Sequence, residues 1–107
     1  MDSVKILLGK RIKELRDERG WTQEVFAEKS VLDVTTISNI ENGKNYPNSI
    51  TIEKIARTFD VQLHELYIFE HLQKPDFNIL LQEMNEAFLD NPELVYKMYN
   101  VFKVINF

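Results

Sequence analysis

The amino-acid sequence predicts an all-α protein, and three observations support that class. Apolar residues recur at helical spacing in most segments of the 107-residue chain, and no segment shows the clean alternation of a half-buried strand. Helix-forming residues dominate these segments. Residues that cap or end helices stand between them, including Gly20, the pair Asn42-Gly43 and the pair Asn91-Pro92. We therefore expect a five-helix domain followed by a C-terminal helical hairpin.

The first predicted helix lies in the segment SVKILLGKRIKELRDERG. Ser3 is a suitable N-cap, and Ile6, Ile12 and Leu15 form an apolar stripe along one helix face. Gly20 accepts the left-handed conformation that ends many helices. The sequence thus predicts a helix between Ser3 and Gly20 with one face toward a core.

The second predicted helix follows at once. Thr22 is a good N-cap, and Trp21 before it and Phe26 after it have the spacing of a hydrophobic staple. Phe26 and Ala27 continue the buried side, and a small residue such as Ala27 lets two helix backbones approach closely. We expect the helix to end near Ser30, in the short turn SVLD.

Three further short helices are expected in the first domain. Asp33 caps the segment VTTISNIEN, in which Ile37 and Ile40 face inward. After the loop KNYPNS, either Asn48 or Ser49 caps the fourth helix. The buried stripe of that helix consists of Ile52, Ile55, Ala56 and Phe59. The segment LHELYIF is expected to form the fifth helix.

The C-terminal segment is predicted to be a helical hairpin of different character. From residue 75 onward the chain carries −3 of its net charge of −4, so we place a boundary between residues 1–70 and 71–107. Two apolar stripes at helical spacing run along this tail. They consist of Phe77, Leu80, Leu81, Met84 and Phe88, and of Leu94, Met98, Val101, Phe102 and Ile105.

The composition excludes several classes of protein. The chain has no cysteine, which excludes a disulfide, a thiolate metal site and a cysteine nucleophile. It has no signal segment and no apolar run near the ~20 residues of a membrane span, so we expect a cytoplasmic protein without a membrane partner. His64 and His71 lack a well-placed third metal ligand. No phosphate-binding glycine motif or nucleophile–base pair is evident, so we expect no cofactor, no metal and no enzymatic activity.

The polar side of the third helix carries small hydrogen-bonding side chains, whereas a solvent face usually carries Lys and Glu. With the helix and tight turn before it, this segment resembles the helix-turn-helix of the lambda-repressor-like (Xre) family of regulators. The segments IKELRDERGWTQEVFAEKS, TISNIENGKNYP and IEKIARTFDVQLHEL carry the resemblance, which covers about residues 5–68. It implies a DNA-binding domain over residues 1–70 and does not extend to the tail.

The resemblance also implies roles for individual residues. Gln23 matches a position that contacts DNA phosphate and braces the recognition helix, and Arg16 and Glu41 match a buried structural ion pair. Base-reading positions are matched by Val34, Thr35, Thr36, Ser38 and Asn39. Positions in the phosphate-contacting loop are matched by Asn42, Lys44 and Asn45.

Four residues depart from the usual pattern of the family. Val31 occupies the turn position that is usually glycine, and a β-branched residue is strained at positive φ, so we expect a reshaped turn. Val34 replaces a frequent Arg or Gln and could only pack on a thymine methyl. Asn45 replaces a commonly basic residue, and Asp33 adds a negative charge near the expected phosphate path. These departures predict modest electrostatic affinity for each protomer.

The expected function is sequence-specific binding to double-stranded DNA as a transcriptional regulator, most simply a repressor. A homodimer would present two recognition helices about 34 Å apart and match an inverted repeat. The tail could fold back onto the first domain or pack on a second chain. Because the resemblance implies that the first domain is already complete, we favour homodimerisation through the ten stripe residues. The alternative function is a protein-interaction module of the antitoxin or anti-repressor type, in which the tail holds a protein partner.

Overall fold

The computed structural model describes residues 3–69 and 76–104, and all the regular structure in them is helical, which confirms the predicted all-α class. The expected fifth helix of the first domain is a short 3-10 helix. The elements are α1 (Val4–Glu18), α2 (Gln23–Ser30), α3 (Val34–Glu41), α4 (Ser49–Phe59), the 3-10 helix (Leu63–Tyr67), α5 (Phe77–Ala87) and α6 (Pro92–Val104). The expected boundary near residue 70 and the residues His71 and Ile105 lie outside the described residues.

The core of the N-terminal region forms where α1 and α4 pack against the α2–α3 pair. Its centre is a stack of three aromatic rings, in which Phe26 and Phe59 have centroids 4.7 Å apart and Trp21 lies 5.9 Å from Phe59. The guanidinium of Arg19 lies over the Phe59 ring at 4.8 Å and covers the stack from outside. These contacts fix α2 against α4 and against the end of α1.

Helix caps agree only in part with the sequence pattern. Thr22 and Asn48 each accept a hydrogen bond from the backbone N–H three residues later, at 3.1 and 2.9 Å, so Asn48 and not Ser49 caps α4. Ser3 and Asp33 occupy the expected N-cap positions, but neither side chain makes a capping hydrogen bond. The helices α1 and α3 therefore begin without the predicted side-chain caps.

The turn between α2 and α3 is not reshaped around Val31, so that expectation was wrong. Val31 adopts the left-handed conformation with φ of 58° and ψ of 44°, as a glycine would. The backbone N–H of Leu32 donates to the carbonyl of Ala27 at 3.0 Å and closes the turn. The turn geometry is retained because these hydrogen bonds and the packing of both helices outweigh the strain at one residue.

Val31→Gly is expected to raise the free energy of unfolding by about 0.5 to 1 kcal/mol. The change removes a left-handed strain of about 1–2 kcal/mol and adds about 0.5–1 kcal/mol of chain entropy to the unfolded state. Little packing is lost, because Val31 is 78 % exposed. Urea denaturation measures the difference. Val25→Gly, in the helical part of α2, is the control and should destabilise by about 1 kcal/mol; equal effects of the two changes would contradict the strain at Val31.

The tail folds back onto the N-terminal region, which is the first of the two arrangements that the sequence left open; a contact of the tail with a second chain stays a prediction. Helix α5 packs on α1, and α6 packs on the 3-10 helix, where the rings of Phe102 and Tyr67 meet edge-on at 5.5 Å. The contact with α6 contributes to the burial of the 3-10 helix, in which Leu66 and Tyr67 are 0 % exposed. Five of the ten predicted dimerisation residues are buried in this intramolecular core: Leu80, Met84, Phe88, Met98 and Phe102. The others in the described part are half-buried: Phe77, Leu81, Leu94 and Val101.

A carboxylate attaches the tail to the beginning of α1. Glu83 on α5 accepts hydrogen bonds from the backbone N–H groups of Val4 and Lys5, which lie in the first turn of α1 and have no intrahelical partner. Burial raises the pKa of Glu83, and the two N–H groups oppose that rise. The tail thus takes the place of the side-chain cap that Ser3 does not provide.

Within residues 3–69 and 76–104, no helix is both long and apolar enough to cross a lipid bilayer.

Candidate nucleic-acid interface

Helix α3 presents a polar face to solvent. Ile37 and Ile40 are 1 and 2 % exposed and attach the helix to the core, so the remaining faces point outward. All five residues predicted to read bases lie on those faces. Val34 and Thr35 are exposed, and Thr36, Ser38 and Asn39 are half-buried. Their side chains are short, so the helix backbone could approach a ligand closely.

A buried ion pair fixes the C-terminal end of α3 to α1. The Arg16 guanidinium donates to both carboxylate oxygens of Glu41, at 2.7 and 3.0 Å, and donates to the carbonyl of Trp21 at 2.7 Å. This hydrogen bonding to Glu41 raises the pKa of Arg16 against the effect of burial, so the guanidinium stays charged. Since the Glu41 side chain is only 2 % exposed, its charge is neutralised within the protein and does not face solvent.

Gln23 joins the beginning of α2 to this ion pair. Its Nε2 donates to Oε1 of Glu41 at 3.1 Å, so the first residue of α2 and the last residue of α3 are held together. An amide nitrogen carries two hydrogens, and the second can donate to another acceptor. Gln23 is half-buried at the beginning of α2, and the next two residues, Glu24 and Val25, are exposed. This arrangement suits a phosphate oxygen or another anion at the α2 N-terminus.

The loop after α3 is closed onto the end of that helix. The N–H groups of Lys44 and Asn45 both donate to the carbonyl of Asn39, at 2.9 and 3.4 Å, and Asn42 Nδ2 donates to Ser38 Oγ at 3.4 Å. The side chains of Lys44 and Asn45 are exposed. The predicted base-reading and phosphate-binding residues are thus adjacent, and Asn42 and Ser38 already contact each other.

The second half of this loop turns inward, and its sequence pattern predicts no role for it. Tyr46 Oη lies 2.5 Å from Tyr67 Oη, and the Tyr46 ring meets Phe88 of the tail edge-on at 5.9 Å. Burial raises the pKa of both tyrosines far above the usual value, so both hydroxyls stay protonated. An aromatic residue before the buried Pro47 was the available signal, but its partners are distant in sequence.

The face has little positive charge. Among the nine residues predicted to contact DNA, Lys44 is the only basic one. Asp33 and Glu24 are exposed at the beginnings of α3 and α2. Recognition by this face would therefore depend on hydrogen bonds and on the two helix N-termini more than on cationic side chains.

Comparison with known proteins identifies relatives of this arrangement. Residues 12–66, about half of the chain, match the family model described as helix-turn-helix. The control protein C.MunI of a Mycoplasma species is 40 % identical over 68 residues, which are 63 % of this chain and 92 % of that protein. The transcriptional regulator PuuR of Escherichia coli is 37 % identical over 68 residues, which are 64 % of this chain and 36 % of PuuR.

A solved structure shows the same helical arrangement. The restriction-modification controller protein C.AhdI of Aeromonas hydrophila aligns with a TM-score of 0.56 and 32 % identity. The alignment covers 58 % of this chain and 94 % of C.AhdI. C.MunI and C.AhdI are thus matched over almost their whole lengths, while more than a third of the present chain has no counterpart in either.

Proposed function

Since this chain belongs to the helix-turn-helix family of transcriptional regulators and is not an enzyme, we propose that it is a sequence-specific repressor that binds double-stranded DNA. The observation that carries the proposal is the outward face of α3, which is polar, made of short side chains and held rigidly by the Arg16–Glu41–Gln23 contacts. Repression follows from occupation of promoter DNA. The proposed location is the cytoplasm.

In this proposal α3 enters the major groove and reads bases with its exposed side chains. Asn39 can form a bidentate pair with adenine, and the hydroxyls of Thr35, Thr36 and Ser38 can donate or accept at either base type. Val34 is 37 % exposed at the beginning of α3 and packs on a thymine methyl. A well-formed bidentate pair discriminates against the wrong base by about 1–3 kcal/mol.

Two flanking groups hold the DNA backbone. Gln23 and the first N–H groups of α2 bind one phosphate, for which the helix dipole provides a favourable field. Asn42, Lys44 and Asn45 bind the backbone on the other side of the groove. These contacts set the register of α3 and carry no base information.

We also propose that the protein binds an inverted repeat as a homodimer. A net charge of −4 limits the affinity of one protomer for DNA, and a second linked protomer multiplies a weak contact through effective concentration. Half of the predicted tail surface is occupied within its own chain, so a tail contact would use the outward side of α6, where Tyr96 and Val104 are 68 and 84 % exposed. Light scattering with and without Tyr96→Ser tests this contact.

Selection of bound duplexes from a random-sequence DNA pool tests the proposed function. We expect enrichment of a short inverted repeat whose half-sites are separated by about one helical turn. Enrichment of single half-sites would contradict the proposed homodimer but would support the proposed sequence-specific DNA binding. Failure to retain any duplex at low ionic strength would end the proposal, and co-purification of a stoichiometric protein would then favour an interaction module.

Lys44→Ala and Asn39→Ala are expected to weaken DNA binding in different ways. Lys44→Ala should reduce affinity for all duplexes about equally and lower the slope of log affinity against log salt by about one, because one phosphate contact is lost. Asn39→Ala should cost about 1–3 kcal/mol on the selected duplex and relax the preference at one base position. Fluorescence anisotropy over a salt series separates the two effects.

Lys13→Ala, at an exposed position of α1 outside the predicted DNA-contacting residues and outside the tail, is the matched control for loss of one exposed lysine. It should leave both the affinity and the salt slope close to the wild-type values. If Lys44→Ala and Lys13→Ala behave alike, the assignment of the loop to phosphate binding is wrong.

A further inference from the structure

The tail contacts the predicted phosphate-binding loop, residues 42–48, from the side opposite to its exposed residues. At the end of α5, the Phe88 ring packs edge-on against Tyr46 with centroids 5.9 Å apart. Two residues later, Asp90 Oδ1 accepts a hydrogen bond from Ser49 Oγ at 3.0 Å. Tyr46 precedes Pro47 and Ser49 is the first residue of α4, so the tail contacts both the loop and the beginning of the helix that follows it.

These contacts are built into the core. Phe88 is 0 % exposed, and Ser49 is 2 % exposed. The Tyr46 hydroxyl is fixed in turn by Tyr67, whose ring meets Phe102 of α6. Both helices of the tail therefore support the same part of the loop, α5 directly and α6 through Tyr67.

The support acts next to the residues that face DNA in the proposed function. Asn45 and Lys44 directly precede Tyr46 and have exposed side chains. Consecutive Cα atoms are held 3.8 Å apart, so a displacement of the Tyr46 backbone also displaces the backbone of Asn45. Hydrogen bonds to phosphate tolerate only a few tenths of an ångström in donor–acceptor distance.

We propose that the C-terminal hairpin is a positioning element for DNA binding, in which Phe88 and Asp90 hold Tyr46 and Ser49 and thereby fix the backbone of the phosphate-binding loop. Asp90 and Phe88 never touch DNA and act through the loop. Both lie outside residues 12–66, the part matched to the family, so this support is a property of the additional tail. The inference rests on the proposed DNA binding.

Substitutions at Asp90 test the proposal in the full-length protein. Asp90→Ala removes the acceptor of the Ser49 hydroxyl, whereas Asp90→Asn keeps an acceptor oxygen at the same place. Both changes remove one negative charge, so long-range electrostatics affect both variants equally. Asp90 is exposed, and we expect both variants to fold.

The readout is binding to a random-sequence duplex over a salt series, because phosphate contacts are independent of sequence. Asp90→Ala should bind about three- to tenfold more weakly than Asp90→Asn, the factor of about one lost hydrogen bond. Its salt slope should be lower by about one, as for loss of one phosphate contact. Ser49→Ala removes the same hydrogen bond but keeps the Asp90 charge, so it should bind about three- to tenfold more weakly than the wild type. Adding Ser49→Ala to Asp90→Ala should weaken binding no further, because the hydrogen bond is already absent.

Leu89→Ala is the neighbouring control, since Leu89 is 81 % exposed. It should bind as the wild type does. If the wild type binds duplex, Asp90→Ala binds as Asp90→Asn does and Ser49→Ala binds as the wild type does, the positioning role is refuted while the proposed function stands. If the wild type retains no duplex at low salt, the proposed function fails and the positioning role fails with it.

Discussion

Glu41→Ala is expected to lower the free energy of unfolding by about 3 to 5 kcal/mol, the usual cost of removing one partner of a buried ion pair. Arg16 is 8 % exposed and would keep its charge without the carboxylate that now accepts two of its hydrogen bonds. Gln23 would also lose its acceptor, so the link between α2 and α3 would be broken as well.

Urea denaturation followed by circular dichroism measures this loss. Glu14→Ala is the control, because Glu14 pairs with Arg11 at a partly exposed site on α1, where such a pair contributes less than about 1 kcal/mol. The double variant Arg16→Met/Glu41→Leu should recover much of the stability, since it leaves no buried charge. Equal losses for Glu41→Ala and Glu14→Ala would show that the buried ion pair contributes no more to the free energy of unfolding than the partly exposed one.

The recovered double variant also separates stability from DNA binding. It should fold but bind duplex less tightly than the wild type, because the Gln23 side chain no longer has a fixed orientation. Wild-type affinity in a stable double variant would mean that DNA binding does not depend on the hydrogen bond from Gln23 to Glu41.

Gly9→Ala is expected to destabilise the protein by about 3 kcal/mol or more, although alanine is the better helix former by about 1 kcal/mol. Gly9 is buried in α1 where this helix crosses the end of α3. A Cβ at this position would lie 2.2 Å from the carbonyl oxygen of Ile40 and 2.9 Å from that of Glu41. These atoms belong to the backbone, so α1 and α3 would have to separate.

Gly20→Ala provides the comparison for a glycine needed only for its conformation. It has φ of 69°, and an added Cβ would have no neighbour within 4 Å. We expect a loss of about 1 kcal/mol from left-handed strain alone. The thermal unfolding midpoint of each variant decides between the two explanations, and a Gly9→Ala midpoint at or above the wild-type value would contradict the close helix approach.

The helices of the N-terminal region were largely predictable because their signals are local. Ile37 and Ile40, three residues apart, define the buried side of α3 and leave the polar residues outside. Thr22 marks the beginning of α2 for the same local reason, since its side chain bonds a backbone N–H only three residues away. The candidate DNA face follows from these two facts and from the family resemblance.

The predictions from sequence failed where contacts with other residues, near or distant in the chain, decided the outcome. Val31 was judged by its own conformational preference, whereas the packing of α2 and α3 imposes the left-handed turn. The apolar stripes of the tail were recognised, but their partner was not. Asp90 appeared as one of several acidic surface residues, and its contact with Ser49 spans 41 positions.

The sequence by itself determined which residues form helices and which side of each helix is apolar, because helical periodicity and capping act within a few residues. The tertiary structure alone decided which apolar surfaces meet. Hydrophobic burial is non-directional, so the apolar pattern of the tail does not indicate whether the tail packs on its own chain or on a second chain. In the structure Phe88 meets Tyr46 and Phe102 meets Tyr67, and these contacts bring the tail against the predicted phosphate-binding loop.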